Sequence, residues 1–509
     1  MKAAAQQGFS SRTVAAWRAA NLLWVVAGLI LVGYGLLAFN AGTKVSPLNN
    51  DGSQSLARVE HIIEQADRGV AMQDSEEARA VIPFWMNLIA RIESSQYVHG
   101  SDSLMEAERH YYAMAEKKRH VLSTHMLLGV VLMATGFLQF WPAFRRKHRT
   151  AHRILGVVYG LTAVTSMSMS SYYLLHTEVA DVYSQFAFFS GLWALVVLSL
   201  FSLSMATWSL LRRDIAAHLG WQALAFGCFL TAPTQRILWI SLSPFSGGAT
   251  FNEVNIAVNV LLLPLSFFIG YVLFVANRNS SPAKPAAATL SAAPAWQRWT
   301  LIALALGMGV LSASLLLTNG LSGSSITKSV AMASAAQAHD ASALGPLGLL
   351  AFACLIATMI AGIRLLASPK GVSAGTRATI ASGLLASMAL LALGYSIGMP
   401  SHAHSVAGSA YTFNGLLMLV VVAWGAYYVR ANDPGKAREI CWFIVLLSMS
   451  PALTYAFMYF FDAIDLVPSP FDEKGHGYQL AAALGLILPT IAAHLRAVYS
   501  QETRRYAVN

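Results

Sequence analysis

The sequence predicts an all-α polytopic membrane protein of about twelve transmembrane helices in two six-helix repeat halves. Three observations predict it. Of 509 residues, 56% are hydrophobic and only 11% charged, where a soluble protein of this size carries about 25% charged residues. Twelve apolar windows are long enough to cross a bilayer, and only helices of that length satisfy their own backbone polar groups in lipid. Short segments also recur, in the same order, on either side of a polar stretch at 277–298.

The first window, 21–39, follows Arg12 and Arg18. At about 19 residues it exceeds the apolar core of a signal peptide, so it reads as an uncleaved first span. Windows near 124–142, 154–174, 186–210, 218–242 and 255–276 complete a first half over 1–276. Windows near 299–318, 344–366, 376–397, 411–429, 438–461 and 478–497 fill a second half over 299–509. Residues 277–298, rich in Ala, Ser and Pro, read as a flexible linker.

Orientation follows from the connections. "FRRKHRTAHR", "LLRRD", "RLLASPKGVSAGTR", "VRANDPGKARE" and the tail "ETRR" are basic and fall alternately on one side. The intervening loops are acidic or neutral. The positive-inside rule makes the basic side cytoplasmic, with both termini there, and the bacterial inner membrane is the expected location. The net charge of +10 is then a membrane signature, and no nucleic-acid partner is expected. Three cysteines (Cys228, Cys354, Cys441) lie in separate apolar runs and suggest no disulfide framework.

Residues 41–120 hold twelve of the 24 acidic residues. They predict a helical insertion outside the membrane, whose last helix runs into the second span. The repeat is carried by three pairs. "FFSGLWALVV" resembles "TFNGLLMLVV", "CFLTAPTQRILW" resembles "LLSMSPALTYAF" (Pro233 with Pro451), and "NVLLLPLSFF" resembles "LGLILPTIAA" (Pro264 with Pro489). An even number of spans per half gives the halves the same orientation.

The chemistry read from the first half centres on His152 and His218, each in the first turn of a span at its basic end. Two imidazoles at one depth, in surroundings that exclude water, suit bis-histidine ligation of haem b. Arg153 and Arg213, with Arg145, Arg146 and Arg212, supply cations for the propionates. Interfacial anchoring is the competing reading of the same residues. At the opposite end, His125, Arg236, Glu253 and Tyr172 are expected at similar depth. Arg236 is 18 positions beyond His218, roughly 27 Å along one helix, so it belongs to a different site. Glu253 is its natural partner, as a structural ion pair or as part of a pocket for an anion or quinol. "SHAHS" sets His402 and His404 two apart in a loop, where an extended backbone points both to one side as candidate metal ligands.

"HMLLGVVLMATGFLQFWPAFRRKHRTAHRILGVVYG", followed by "RRDIAAHLGWQ" and "PTQRILW", resembles the bacterial membrane family called domain of unknown function 2306. The matching positions are His125, Gly136, Gln139, Phe140, His152, Arg153, Gly156, Tyr159, His218, Trp221 and Arg236. The resemblance covers about 120–275 and implies a membrane location but no activity. Helix placement is also similar to the ascorbate-dependent transmembrane cytochrome b family, in which histidines on alternate helices hold haem. The first reading is a haem b electron-transfer protein working on a quinol or small molecule. A twelve-helix secondary transporter of a small molecule and a non-catalytic membrane scaffold are the alternatives.

Overall fold

The computed structural model describes residues 11–72, 74–182, 185–242, 250–279, 294–317, 341–367, 374–399, 402–472 and 474–500. Among them all regular structure is helical. Among the described residues nine helices are long and apolar enough to cross a membrane, or eleven spans if each of two bent helix pairs counts as one. The chain is an integral membrane protein. The seventh expected window, 299–318, falls on a further helix over Ala295–Leu317. The described chain divides into two compact units, Met1–Thr177 and Glu178–Asn509. That division falls within the first expected half, after its third span.

The first unit contains three long helices: α1 (Ser11–Val45), α7 (Glu116–Phe140) and α9 (Arg149–Leu175). Helix α7 packs between the other two. Five short helices separate α1 from α7: α2 (Gly52–Asp67), α3 (Glu76–Val81), α4 (Phe84–Ile89), α5 (Ser95–His99) and α6 (Met105–Ala113). Local chemistry starts them. Asp51 accepts from the Ser53 and Gln54 amides at 2.8 and 3.0 Å, Ser75 from Ala78 N at 2.9 Å and Ser94 from Tyr97 N at 3.1 Å. Each satisfies an amide that a helix start leaves without an intrahelical partner.

Val59, Ile62, Met86, Ile89, Val98 and Tyr112 form the core of this cap. Asp67 ties its ends, accepting from Gln96 Nε2 at 2.7 Å and Ser101 N at 2.9 Å. These bonds, the Gln96 one first, hold its carboxyl below the usual range. Burial pulls the fully enclosed His99 imidazole down to about 4. Arg119, 3% exposed, fixes the cap to the spans by donating Nε to Val45 O at 3.2 Å and a terminal nitrogen to Asn50 O at 2.6 Å. The sequence predicts one helix running from the cap into the second span. The structure breaks it at Met114, whose backbone is extended. Helix α8 (Pro142–Lys147) is a short basic helix between α7 and α9.

The second unit holds α10 (Gln185–Leu211), α11 (Ile215–Phe229), α12 (Thr231–Leu242), α13 (Phe251–Asn279), α14 (Ala295–Leu317), α15 (Ala341–Ala367), α16 (Ala374–Ile397), α17 (His402–Arg430), α18 (Pro434–Leu447), α19 (Ser450–Ala463), α20 (Ser469–Asp472) and α21 (His476–Tyr499). Its core is α13, α17 and α21. In the most apolar stretch of each, 61–67% of residues are buried, against 17% in α1. Helices α13 and α21 pack on each other, and each carries a proline inside, Pro264 and Pro489. Helix α11 crosses α13 closely at Gly227 and Gly270. A Cβ on Gly227 would stand 2.5 Å from Ser266 O, and one on Gly270 2.8 Å from Ala223 O.

Three expectations change here. The spans read as continuous over 218–242 and 438–461 are each two helices, α11–α12 bent by 50° and α18–α19 by 41°. A proline soon after each junction, Pro233 or Pro451, cannot donate to the preceding turn. "SHAHS" is not an extended loop, because α17 begins at His402. On a helix, positions two apart face different ways, and the His402 side chain lies outside the described residues. The predicted linker, 277–298, begins too early, since Asn277 and Arg278 are buried on α13. Residues 280–293 of it lie outside the described residues.

Both bent pairs are entered by one kind of turn. Arg213 and Asn432 adopt left-handed backbone (φ 60° and 52°). The next residue is an aspartate that caps the new helix, Asp214 to Ala217 N and Asp433 to Lys436 N, both at 3.1 Å. Its own amide reaches back to close the turn, Asp214 N to Ser209 O at 2.9 Å and Asp433 N to Tyr428 O at 3.0 Å.

Candidate functional site: a buried polar network in the second unit

In the first unit, the residues carrying the family resemblance form a packing seam. Gln139 Nε2 donates to His152 O at 3.3 Å. Its amide lies over Gly156, where a Cβ would stand 3.2 Å from Gln139 Oε1. Phe140 and Tyr159 are each 1% exposed beside it. The His152 imidazole is half-buried and Arg153 is exposed. Burial, reinforced by the neighbouring Arg146 charge, pulls Arg145 below its ordinary value.

His125 Nδ1 faces three oxygens of α9: Ser166 Oγ at 2.9 Å, Ser166 O at 3.0 Å and Ser170 Oγ at 3.1 Å. Tyr172 stacks on His176 with ring centroids 4.2 Å apart, and Lys117 Nζ lies 5.4 Å from its ring. His125 and Tyr172 thus stand in the first unit, and Arg236 and Glu253 in the second.

The expected Arg236–Glu253 pair does not form. Glu253 instead accepts from Thr250 N at 2.7 Å and Thr250 Oγ1 at 3.2 Å at the start of α13, a capping arrangement that compensates the helix's own first turn. Arg236 donates to Ala232 O at 3.0 Å and Gln235 Oε1 at 3.2 Å, and lies over the Trp239 ring. The straight 27 Å separation of Arg236 from His218 also fails, because the helix bends between them. His218 Nδ1 donates to Ala206 O at 3.0 Å, a carbonyl that can only accept. In the neutral ring this leaves the lone pair on Nε2. Arg213 occupies the left-handed position of the turn before it.

The strongest ionic feature was not foreseen. Arg278, near the end of α13, and Glu439, in the second turn of α18, form an ion pair at 3.0 Å with side chains 2% and 7% exposed. A second guanidinium nitrogen reaches Glu439 Oε1 at 3.2 Å, and Tyr271 Oη donates to that oxygen at 3.2 Å. The rings of Phe443, Trp424 and His494 surround Tyr271 at 4.9, 5.9 and 6.4 Å between centroids. His494 is fully buried on α21. Its Nε2 donates to Gly220 O at 2.9 Å, while its Nδ1 has no hydrogen-bond partner among the described residues. Charges are placed this deep in a membrane protein only when paired, and they commonly mark a working site.

A signal for Glu439 was present. Asp433-Pro434 is an N-cap followed by proline at the first helical position, which starts a helix early enough to draw Glu439 inside. In the sequence alone Glu439 reads as the end of a basic loop.

Toward the helix breaks the buried polar groups are neutral. Asn414 Nδ2 donates to Leu447 O at 3.3 Å, the last residue before the α18–α19 break. At the other break, Thr231 Oγ1 donates to Cys228 O at 2.8 Å. These bonds satisfy carbonyls near each break, as lipid-depth irregularity requires. Gln479 Nε2 reaches Ile256 O at 3.5 Å. Left over, buried and without a partner among the described residues, are Asn414 Oδ1, Gln479 Oε1, Ser266 Oγ, Ser450 Oγ and both amide atoms of Asn259. Buried polar atoms are normally satisfied, so this concentration of spare donors and acceptors suits water or a polar solute. Among the described residues no three His, Cys, Asp or Glu side chains group to hold a metal ion.

Residues 122–273 match the model of a family described as "Predicted membrane protein (DUF2306)". No curated protein and no solved structure matches the chain.

Proposed function

We propose that the protein is a secondary transporter of a small polar solute. In this reading two six-helix halves lie in the bacterial inner membrane with both termini cytoplasmic. One observation carries the proposal. The fifth span of each proposed half is broken, and spare polar atoms are buried along the proline-bearing helices packed beside the breaks. Interrupted helices at corresponding positions of two halves are the most direct structural pointer to a transporter's binding site. The matched turns before α11 and α18 support the two-half arrangement, and the basic connections support the orientation. Tyr271, Arg278 and Glu439 lie toward the basic end of the second unit, where a closed ion pair bars the path to the cytoplasm.

The test is solvent access. With Cys228, Cys354 and Cys441 replaced by alanine, single cysteines at Thr234 and Ser450 are exposed to a membrane-impermeant maleimide in right-side-out and inverted vesicles. Both positions should react from at least one side, although Ser450 is 2% exposed. A cysteine at Leu385, 59% exposed on α16, should stay unreacted in lipid. If neither 234 nor 450 reacts while a loop cysteine does, the breaks line no solute path.

A second reading, haem b electron transfer, is favoured by the His218 tautomer, whose Nδ1 bond to Ala206 O puts the neutral ring's lone pair on Nε2. Arg213, in the turn before His218, would meet a propionate, and the bound group would carry one electron. Purified protein should then show sharp reduced absorption bands with dithionite, lost in His218→Ala. A colourless protein expressed with ample haem rules this reading out.

A further inference from the structure

One edge of the cap carries three large exposed apolar side chains in a row. Helix α4 buries Met86 and Ile89 in the cap, while Phe84 and Leu88 are 60% and 44% exposed. Ile92 is 59% exposed, and the coil runs on toward it, since Ile92 N and Glu93 N both donate to Ile89 O at 2.8 Å. Exposed apolar side chains thus recur at 84, 88 and 92, four apart and on one side of a helical path. A contiguous patch of this kind marks a contact surface.

The neighbouring element says what covers it. Phe84 N donates to Asn40 Oδ1 of α1 at 3.0 Å, and Lys44 Nζ of α1 donates to Ala80 O at 2.8 Å. The α1 span ends at Val45, so Asn40 lies about 7.5 Å inside that end along the axis. Leading up to Asn40, α1 exposes Leu29, Ile30, Val32, Leu36 and Phe39, side chains that face lipid on a spanning helix. The apolar surface of α1 therefore continues onto α4. Trp85 stands between Phe84 and Leu88, a residue type favoured at the membrane–water boundary. Arg79 and Arg91 both reach Asp74, at 3.2 and 3.8 Å, and bring charge to the headgroup level.

We propose that the edge formed by Phe84, Leu88 and Ile92 is seated in the boundary between acyl chains and headgroups beside α1. The cap is then a second, monotopic contact with the bilayer, and its occupant is lipid. This inference is independent of what the second unit transports or binds.

The experiment uses the full chain in phosphatidylcholine nanodiscs, with the three native cysteines replaced by alanine. Nitroxide labels are placed singly at Leu88→Cys, Ile92→Cys and, as a control, Ala57→Cys on the exposed charged side of α2. Labels at 88 and 92 should relax several-fold more with oxygen, which concentrates in lipid, than with a water-soluble nickel chelate. The label at 57 should show the reverse. Nickel access at 88 equal to that at 57 would overturn the proposal. Shielding of 88 from both relaxants would overturn it too, because protein would then cover the edge.

Discussion

Between Ser209 and Leu242, and again between Tyr428 and Ala463, the chain makes the same moves. A helix ends in a residue with left-handed backbone, an aspartate caps the next helix, and that helix breaks near a proline. The charges differ. The first segment carries His218 near its start and Arg236 beyond its break, each donating to a carbonyl of its own or an adjacent helix. The second carries Glu439, locked to Arg278 of α13 and to Tyr271. Backbone chemistry sets the shared geometry, whereas the ionisable groups serve different ends. Any charge-dependent gate in the second unit should therefore belong to the second segment.

The largest expected effect breaks that asymmetry. Glu439→Gln strands the Arg278 guanidinium in a site 2% exposed and should cost about 3–5 kcal/mol, read as a lower melting temperature in detergent. Replacing both partners together, Arg278→Met with Glu439→Leu, should recover most of the loss. Equal melting of the Glu439→Gln variant and the parent would mean that Arg278 has a further partner or reaches water.

A smaller effect separates the two breaks. Asn414→Leu removes the amide that satisfies Leu447 O and should cost about 1–3 kcal/mol. Thr231→Val, which takes a hydroxyl from Cys228 O, should cost less, because a threonine bond to a carbonyl three residues back is locally replaceable. Denaturant midpoints of the two variants would reverse in order if the α18–α19 break were held by other groups.

The shared turn predicts equality. Asp214→Ala and Asp433→Ala each lose a cap of the same length and should cost about 1 kcal/mol apiece. Two melting shifts differing several-fold would show that the turns are alike only in outline. The smallest effect is a gain. Arg213→Gly relieves left-handed strain and should stabilise by about 0.5–1 kcal/mol, and Asn432→Gly by less, since asparagine tolerates that conformation better.

The sequence made the spans legible because lipid solvation demands long apolar helices, and it made the paired prolines legible because proline cannot hide. It did not reveal that those prolines accompany bends, because hydropathy is blind to helix direction. Among site residues, His125 meets serine partners 41 and 45 positions away, which no local pattern in the sequence announces. Glu253 was assigned to Arg236 by charge alone, and the nearer Thr250 took it. Glu439 escapes notice because it ends "VRANDPGKARE", which reads as a basic loop, whereas the capped helix begins at Pro434 and carries it inside.

The central claim is that both helix breaks open to water during the working cycle. Hydrogen–deuterium exchange of the purified protein, followed on peptides covering Leu230–Ala232 and Ser448–Ser450, tests it directly. Both breaks should exchange at least tenfold faster than the centre of α16, although their residues are largely buried. Protection at both breaks equal to that of α16 would contradict it and leave two bent but sealed helices.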